Sequence, residues 1–152
     1  MARVEARRQA AGLLDQFGLT GFERAWPAQL SGGMRQRLAL LRTYLSPSRV
    51  MLLDEPFGAL DAITRREMHG WLQRVLRTED SGLSTRTVLF VTHDVEEALV
   101  LSDAVYVMSP RPGRMVARVD VAFARPRGGE LVVTPEFVAL KAVLLRALET
   151  GA

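Results

Sequence analysis

The sequence contains no cysteine, only one lysine and no long apolar run. Because it has no cysteine, the chain forms no disulfide and offers no thiolate, which fits a cytosolic setting. No apolar run approaches the roughly 18 residues that a membrane-spanning helix needs. The N-terminus carries arginines but lacks the apolar segment of a secretory signal. These absences predict a soluble chain.

The single lysine, Lys141, lies in a predicted C-terminal helix, and the phosphate-binding pattern GxxxxGKS/T occurs nowhere in the sequence. The other basic residues are arginines, which raise the sequence pI to about 10.1 although the formal net charge is only +3. These arginines are scattered and do not form one run, so they predict a solvated surface. We therefore expect no nucleic-acid partner.

Apolar periodicity predicts an α/β fold in which strands alternate with helices around one mainly parallel sheet. The first strand is a continuous apolar run, which is typical of a parallel strand buried on both faces. The third predicted strand is expected to continue the βαβ series. Predicted strands are 50–53, 87–92, 104–108 and 115–121, and predicted helices are 3–17, 31–45, 61–77, 95–101 and a final helix from 134.

Helical spacing also predicts which side chains face the core. A polar loop is expected at 78–86, and Pro112-Gly113 predicts a type II turn before the strand 115–121. The predicted inward sets are Met34, Leu38, Leu41 and Leu45 after residue 31; Ile63, Met68, Trp71, Leu72 and Val75 in the helix 61–77; and Phe137, Leu140, Leu144 and Leu148 near the C-terminus.

One helix is predicted to begin at Ser31-Gly32-Gly33, with Ser31 as its N-cap. The first backbone N–H groups of such a helix have no intrahelical partners, and the two glycines leave them uncovered. Together with roughly half a positive charge from the helix dipole, these groups can bind an anion such as phosphate. The simpler interpretation is an ordinary capped helix with a flexible lead-in, and composition alone leaves both open.

Three polar residues follow predicted strands: Asp54 and Glu55 after the first, and His93 after the second. Ligands of open α/β sheets bind beyond the carboxyl ends of the strands, so we expect these side chains to share one centre. An aspartate there can hold Mg²⁺, while the next glutamate reaches a water in line with a terminal phosphate. The alternatives are solvated acids that end a strand and a structural histidine. Asp61 can equally be only the N-cap of the helix 61–77.

Four segments in order resemble the motifs of an ABC-type ATPase. Leu30-Ser31-Gly32-Gly33-Met34-Arg35-Gln36-Arg37 resembles the signature motif, and 50–56, VMLLDEP, resembles the Walker B strand. Residues 57–62, FGALDA, are similar to the D-loop, and residues 89–94, LFVTHD, are similar to the H-loop. The resemblance therefore implies a P-loop NTPase-like parallel sheet flanked by helices.

The resemblance also implies a role for each motif residue, with ATP and Mg²⁺ as cofactors. Asp54 would hold Mg²⁺, Glu55 would be the catalytic base and His93 the switch that contacts the γ-phosphate. Asp61 would communicate across a dimer. The signature residues would bind ATP held by the opposite subunit; these are Ser31, Gly32, Gly33 and Gln36.

An intact domain of this family carries, upstream of these motifs, an aromatic residue that stacks on adenine, a Walker A loop and a Q-loop glutamine. We therefore expect residues 1–152 to be a partial domain whose N-terminal part is missing. Its expected blocks are a helical signature part at 1–47, a Walker B, D-loop and H-loop core at 48–123, and a C-terminal loop and helix at 124–152. Without Walker A, the chain alone is expected to be inactive.

The function that the resemblance implies is the ATPase subunit of an importer that energises uptake of a small solute. Residues 109–116, SPRPGRMV, resemble the nitrate/sulfonate/taurine branch or the related thiamine-precursor importers. The implied partners are a second copy, a transmembrane permease and, indirectly, a solute-binding protein, with the chain peripheral on the cytoplasmic face of the membrane. The alternatives are a non-catalytic remnant and an ABC-type DNA-repair or chromosome ATPase.

Overall fold

The computed structural model describes residues 3–75 and 87–151, and the chain divides into two compact units, Met1–Val91 and Thr92–Ala152. No helix in the described ranges is long and apolar enough to cross a membrane. Short 3₁₀ turns lie at Pro27–Gln29 and Leu131–Val133. The first unit contains α1 (Arg3–Gln16), α2 (Gly32–Leu45), β1 (Val50–Asp54), α3 (Ala62–Val75) and β2 (Thr87–Val91); the second contains α4 (Val95–Leu101), β3 (Ala104–Met108), β4 (Met115–Asp120) and α5 (Pro135–Thr150).

Strands β1 and β2 form the parallel pair that the sequence predicts, in register from Val50 opposite Thr87 to Asp54 opposite Val91. Side chains of β1 alternate: Met51 and Leu53 are buried, whereas Leu52 is 68% exposed. The prediction of a strand buried on both faces is therefore wrong for the described part of the chain. Successive side chains of a strand point to opposite faces, and within the described ranges only one face meets the core.

Strand β3 does not continue the parallel series among the described residues; it pairs with β4 in an antiparallel hairpin. The link from residue 109 to 114 is too short for a parallel crossover, which takes a dozen or more residues. The predicted type II turn is also wrong, because Gly113 lacks the positive φ that this turn requires. Instead Ser109 closes the link: its N–H donates to Arg114 O at 2.8 Å, and its Oγ accepts from Arg114 N–H at 3.0 Å.

The core of the first unit centres on Trp71 of α3. Its ring meets Phe17 edge-on at 4.4 Å between centroids and Tyr44 of α2 at 5.2 Å. Such aromatic pairs stabilise a core beyond the apolar area they bury. Phe57, which follows β1, is fully buried and meets His69 edge-on at 4.8 Å. These contacts fix α1, α2, α3 and the end of β1 against one another.

Helix spacing predicts the core imperfectly. Met68, Trp71 and Leu72 are buried as expected, but Ile63 is 74% exposed. Ile63 lies five residues before Met68, so at 100° per residue it falls about 140° away from the buried face. Leu45 and Leu148 are exposed too, and each lies in the last turn of its helix. The predicted loop 78–86, residues 76–77 and the Val75 side chain lie outside the described part.

The buried side chain of Arg127 joins several backbone segments of the second unit. Its guanidinium donates hydrogen bonds to four backbone carbonyls, those of Leu99, Ser102, Val121 and Phe123. Leu99 and Ser102 lie at the C-terminal end of α4, so Arg127 pairs carbonyls that the helix leaves without intrahelical donors. Burial, followed by the neighbouring charge of Arg125, lowers the pKa of Arg127. The sequence predicts only a loop at 124–130.

We expect Arg127→Met to lower the free energy of unfolding of the second unit by about 2–4 kcal/mol, because several buried carbonyls lose a charged donor at once. Arg118→Met is the matched control, since Arg118 is 57% exposed, pairs with exposed Asp120 and lies over the ring of Tyr106 at 5.9 Å; its expected cost is below about 1 kcal/mol. Urea unfolding followed by circular dichroism measures both. Equal losses in the two variants would contradict the role of Arg127.

Candidate functional site

Ser31 caps α2, as the sequence predicts. Its backbone is extended, with φ −64° and ψ 165°, and its Oγ accepts the N–H of Met34 at 3.2 Å. Ser31 and Gly32 are exposed, and a side chain added at Gly32 would meet no atom within 4 Å. The first turn of α2 is thus open enough for an anion to reach its N–H groups. The capped-helix interpretation is satisfied by these contacts, and anion binding stays a prediction.

Gly33 lies where α2 meets the segment that we call the acidic turn, residues 55–61, which runs from Glu55 to Asp61. A Cβ at position 33 would lie 3.3 Å from Ala59 O and 3.3 Å from Leu60 Cδ2. Both distances are tighter than ordinary van der Waals contact, so a Cβ here would make its neighbours shift by a few tenths of an ångström. Glycine is therefore favoured here by close packing between two segments of the first unit.

Gln36, one helical turn after Gly33, bonds to the same acidic turn through both ends of its amide. Its Nε2 donates to Glu55 O at 2.6 Å, and its Oε1 accepts the N–H of Ala59 at 2.8 Å. The resemblance assigns Gln36 to the nucleotide, and no observation tests that role. In this structure the amide joins the signature helix to the residues that follow β1.

Glu55 has an unusual backbone, with φ +42°. A residue with a side chain in this left-handed region typically costs about 1–3 kcal/mol, and such strain persists only where the surroundings enforce it. Here its N–H donates to Val91 O at 2.9 Å, and its carbonyl accepts from Gly58 N–H at 3.2 Å as well as from Gln36. Backbone strain of this kind clusters at functional sites, which supports Glu55 as a site residue.

Asp54 is the exposed last residue of β1, opposite Val91 of β2, and Glu55 directly follows it. The structure therefore places both acids at the carboxyl end of the parallel pair, as predicted. A Mg²⁺ site that uses substrate phosphates needs only one or two protein carboxylates. Asp54 fits that requirement, although the described ranges contain no cluster of three or more potential metal-ligating side chains.

Asp61 ends the acidic turn and caps α3. Its Oδ1 accepts the N–H groups of Ile63 and Thr64 at 3.0 Å each, and its Oδ2 accepts the Thr64 hydroxyl at 2.7 Å. The bonds from Thr64 hold the pKa of Asp61 below its ordinary value, so the side chain is a carboxylate at neutral pH. The capping interpretation is confirmed, and communication across a dimer stays a prediction.

His93 is exposed and lies between β2 and α4, in the second unit. The next residue, Asp94, caps α4 by accepting the N–H groups of Glu96 and Glu97. The N–H of Asp94 donates to the Thr92 hydroxyl at 3.0 Å, which orders the segment around His93. Because Asp54 and Glu55 belong to the first unit, the shared centre and the switch role of His93 stay predictions.

A cleft of about 170 Å³ lies between α2 and β1, beside Asp54 and Gln36. It is smaller than the roughly 300–1,000 Å³ typical of small-molecule sites. Its volume therefore does not suit a whole nucleotide within the first unit. The lining residues are Gln36, Ala39, Leu40, Thr43, Leu52, Leu53, Asp54 and Pro56.

Sequence reasoning missed how Arg37 and Gln36 tie α2 to its surroundings. Arg37 Nη1 donates to Phe17 O at 2.7 Å, just beyond the end of α1. For the contact of Gln36 with the acidic turn, the residue spacing offers one signal: Gly33 and Gln36 are three residues apart and so share a helix face. It does not reveal which segment that face meets, because the partners lie 19 and 23 residues further along the chain.

Residues 2–58 match the family model described as ABC transporter. The chain is 52% identical over 122 residues to the aliphatic sulfonates import ATP-binding protein of Rhodococcus jostii, covering 80% of this chain and 48% of that protein. It is 46% identical over 123 residues to the taurine import ATP-binding protein of Rhizobium johnstonii, covering 81% of this chain and 45% of that protein.

Among solved structures, the fold matches an ATP-binding cassette in a dimeric, post-hydrolysis state bound to ADP and Pi. The TM-score is 0.66 at 29% identity, over 82% of this chain and 50% of the other. Over the part of their length that it spans, the chain is similar to ABC transporter ATP-binding proteins and has the mixed α/β fold of the matched cassette. It spans about half the length of the curated relatives it matches.

Proposed function

We propose that this chain is part of the ATP-hydrolysing subunit of an importer that energises uptake of a small solute. The observation that carries the proposal is the contact between the start of α2 and the acidic turn, through Gly33 and Gln36. This contact joins an open helix N-terminus, suited to phosphate, to adjacent carboxylates suited to a metal and a water. The names of the two import relatives support a transport role.

Glu55 is the proposed catalytic base. Its side chain is exposed at the carboxyl end of β1, where it can accept a proton from a water that attacks a terminal phosphate. Asp54, exposed at the adjacent position, is the proposed ligand of Mg²⁺, directly or through water. When bound, Mg²⁺ would neutralise negative charge that develops on the phosphates. The protein's part is to hold the two carboxylates at one strand end.

Ser31, Gly32 and Gly33 are the proposed contacts to the γ-phosphate of ATP held by a second subunit. The 152 residues contain no GxxxxGKS/T loop, so the phosphate that meets this helix must be held by residues outside this sequence. A dimer in which each subunit presents its signature helix to the other's ATP satisfies this requirement. That the similar cassette was solved as a dimer bound to ADP and Pi supports the arrangement.

His93 is the proposed switch that contacts the γ-phosphate, and Asp61 the proposed link across the dimer. The remaining proposed partners are a transmembrane permease and, through it, a solute-binding protein, which would select the solute. In that assembly the chain lies on the cytoplasmic face of the membrane. Residues 1–47, 48–123 and 124–152 are the proposed blocks of the domain.

We expect the 152-residue chain alone to hydrolyse no measurable Mg-ATP, because in-line attack depends on a positioned phosphate cradle. Losing even one preorganised donor costs about 10²–10³ in kcat. A version extended to the length of the relatives, so that it carries a GxxxxGKS/T loop, is called here the extended protein. It should release phosphate from Mg-ATP, Glu55→Gln should abolish this, and the control Glu67→Gln on α3 should not.

Three outcomes would contradict this proposal. Turnover by the 152-residue chain alone that Glu55→Gln abolishes would show that the loop is dispensable. Turnover by the extended protein that survives Glu55→Gln would show that Glu55 is not the base. A complete lack of turnover in the extended protein, although it binds ATP and folds, would favour a non-catalytic remnant.

The signature helix is expected to act on ATP of the opposite subunit. In the extended protein, Ser31→Arg should leave ATP binding nearly intact, because the loop that holds the phosphates lies elsewhere. Bulk at the start of α2 should block closure over the phosphate, so that hydrolysis falls by at least about 10²–10³. The same side chain placed on the exposed 3₁₀ turn, Gln29→Arg, is the control and should retain activity.

A mixture of two inactive subunits tests whether the signature helix of one subunit acts on the ATP of the other. One subunit carries Ser31→Arg and the other a substitution of the lysine in its GxxxxGKS/T loop, so that in a heterodimer both lesions fall on one composite site. Activity above that of either homodimer is the expected result. Heterodimer formation and the binding of one ATP at the intact site are demonstrated first. If activity then fails to recover, the result contradicts the arrangement, unless both sites must react together.

A further inference from the structure

The amide of Gln36 is oriented by its two partners. Glu55 O can only accept a hydrogen bond and the Ala59 N–H can only donate one, so a single orientation of the amide satisfies both. An amide rotated by 180° would face oxygen with oxygen and N–H with N–H. The Gln36 side chain therefore bridges two points of the acidic turn: its amide nitrogen binds Glu55, and its amide oxygen binds Ala59.

The amide nitrogen of Gln36 binds Glu55, the residue whose backbone is strained. Glu55 lies at φ +42°, and its carbonyl receives the Gln36 bond at 2.6 Å, shorter than the 3.2 Å bond from Gly58 N–H. The direction of a side chain follows from the φ of its own residue. Relaxation of Glu55 to negative φ would therefore re-aim its carboxylate.

The amide oxygen of Gln36 binds the acidic turn at Ala59, four residues after Glu55. Ala59 N–H is held by Gln36 Oε1, and Ala59 O lies against Gly33. The carboxylate of Glu55 is also close to this bend, since a Cβ at Gly58 would lie 3.4 Å from Glu55 Oε2. The shape of the turn and the place of the carboxylate are consequently linked.

We propose that Gln36 is a positioning residue that holds Glu55 in its left-handed conformation and so aims the carboxylate at the attacking water. Because α2 is a rigid helix, Gln36 also joins Glu55 to the start of α2, about one turn away, where phosphate is proposed to bind. This inference rests on the proposed role of Glu55 as the base. It gives Gln36 a task inside its own chain in place of a contact to nucleotide.

The test uses the extended protein with Gln36→Glu and Gln36→Ala. Gln36→Glu keeps an oxygen that accepts the Ala59 N–H but presents an acceptor, not a donor, to Glu55 O. Gln36→Ala removes both bonds. The matched control is Gln29→Glu, because Gln29 also accepts a backbone N–H through Oε1, that of Trp26 at 2.7 Å, and lies outside the proposed site.

We expect kcat for Mg-ATP to fall about 10²-fold in both Gln36 variants, the loss typical of a catalytic group misplaced by about 1 Å. KM for ATP should stay within about twofold, and so should the Kd for ATP measured in a Glu55→Gln background. Gln29→Glu should match the unsubstituted protein in all three. A merely structural role would not separate kcat from ATP binding in this way.

The outcomes separate this inference from the proposed function. Turnover that survives Glu55→Gln would overturn the base assignment, and this inference with it. If Glu55→Gln abolishes turnover but Gln36→Glu keeps kcat within about threefold, only the inference is overturned. A raised KM or Kd with unchanged kcat would make Gln36 a nucleotide contact. Failure of both variants to fold, while Gln29→Glu folds, would make it a structural residue and would equally overturn the inference.

Discussion

The contact between the first turns of α2 and the acidic turn is the constraint on which the first unit's site depends. Two residues on one helix face make it, and they contribute in different ways. Gly33 permits close approach because it has no side chain, while Gln36 holds the gap at a fixed width with two hydrogen bonds. Together the two residues hold the open helix end beside the segment that carries the carboxylates.

Strain at Glu55 follows from the same constraint. A left-handed glutamate is tolerated only where the structure around it over-determines the backbone, and three surrounding segments do so here. These segments are the end of β2, through Val91 O; the acidic turn itself, through Gly58; and α2, through Gln36. In the second unit Arg127 has the comparable task of joining separate segments through backbone carbonyls.

The parts of the structure that depend on neighbouring residues could be predicted from sequence. Caps at Ser31 and Asp61 fall where predicted, because a cap is an interaction over two or three residues. The order of helices and strands was predictable for the same reason, and the four motifs led to the family. The parallel pairing of β1 with β2 followed from the alternation of strands with helices along the chain.

Features that depend on distant partners could not be predicted. Nothing local distinguishes Gln36 from a solvent-facing glutamine, or Arg127 from the other arginines of a polar loop. The antiparallel pairing of β3 was missed because an apolar run does not specify its partner strand. The one-sided burial of β1 and the exposure of Ile63 have the same cause, since periodicity predicts a face but not what covers it.

Hydrogen exchange at the Ala59 amide tests most directly whether Gln36 braces the acidic turn. Ala59 is exposed and lies in a turn, so its N–H owes its hydrogen bond in this structure to the Gln36 side chain. We expect this amide to exchange slowly in the unsubstituted protein and at the rate of an unprotected amide in Gln36→Met, while the amides within α2 keep their protection. Rapid exchange at Ala59 in the unsubstituted protein, or unchanged protection in Gln36→Met, would contradict it.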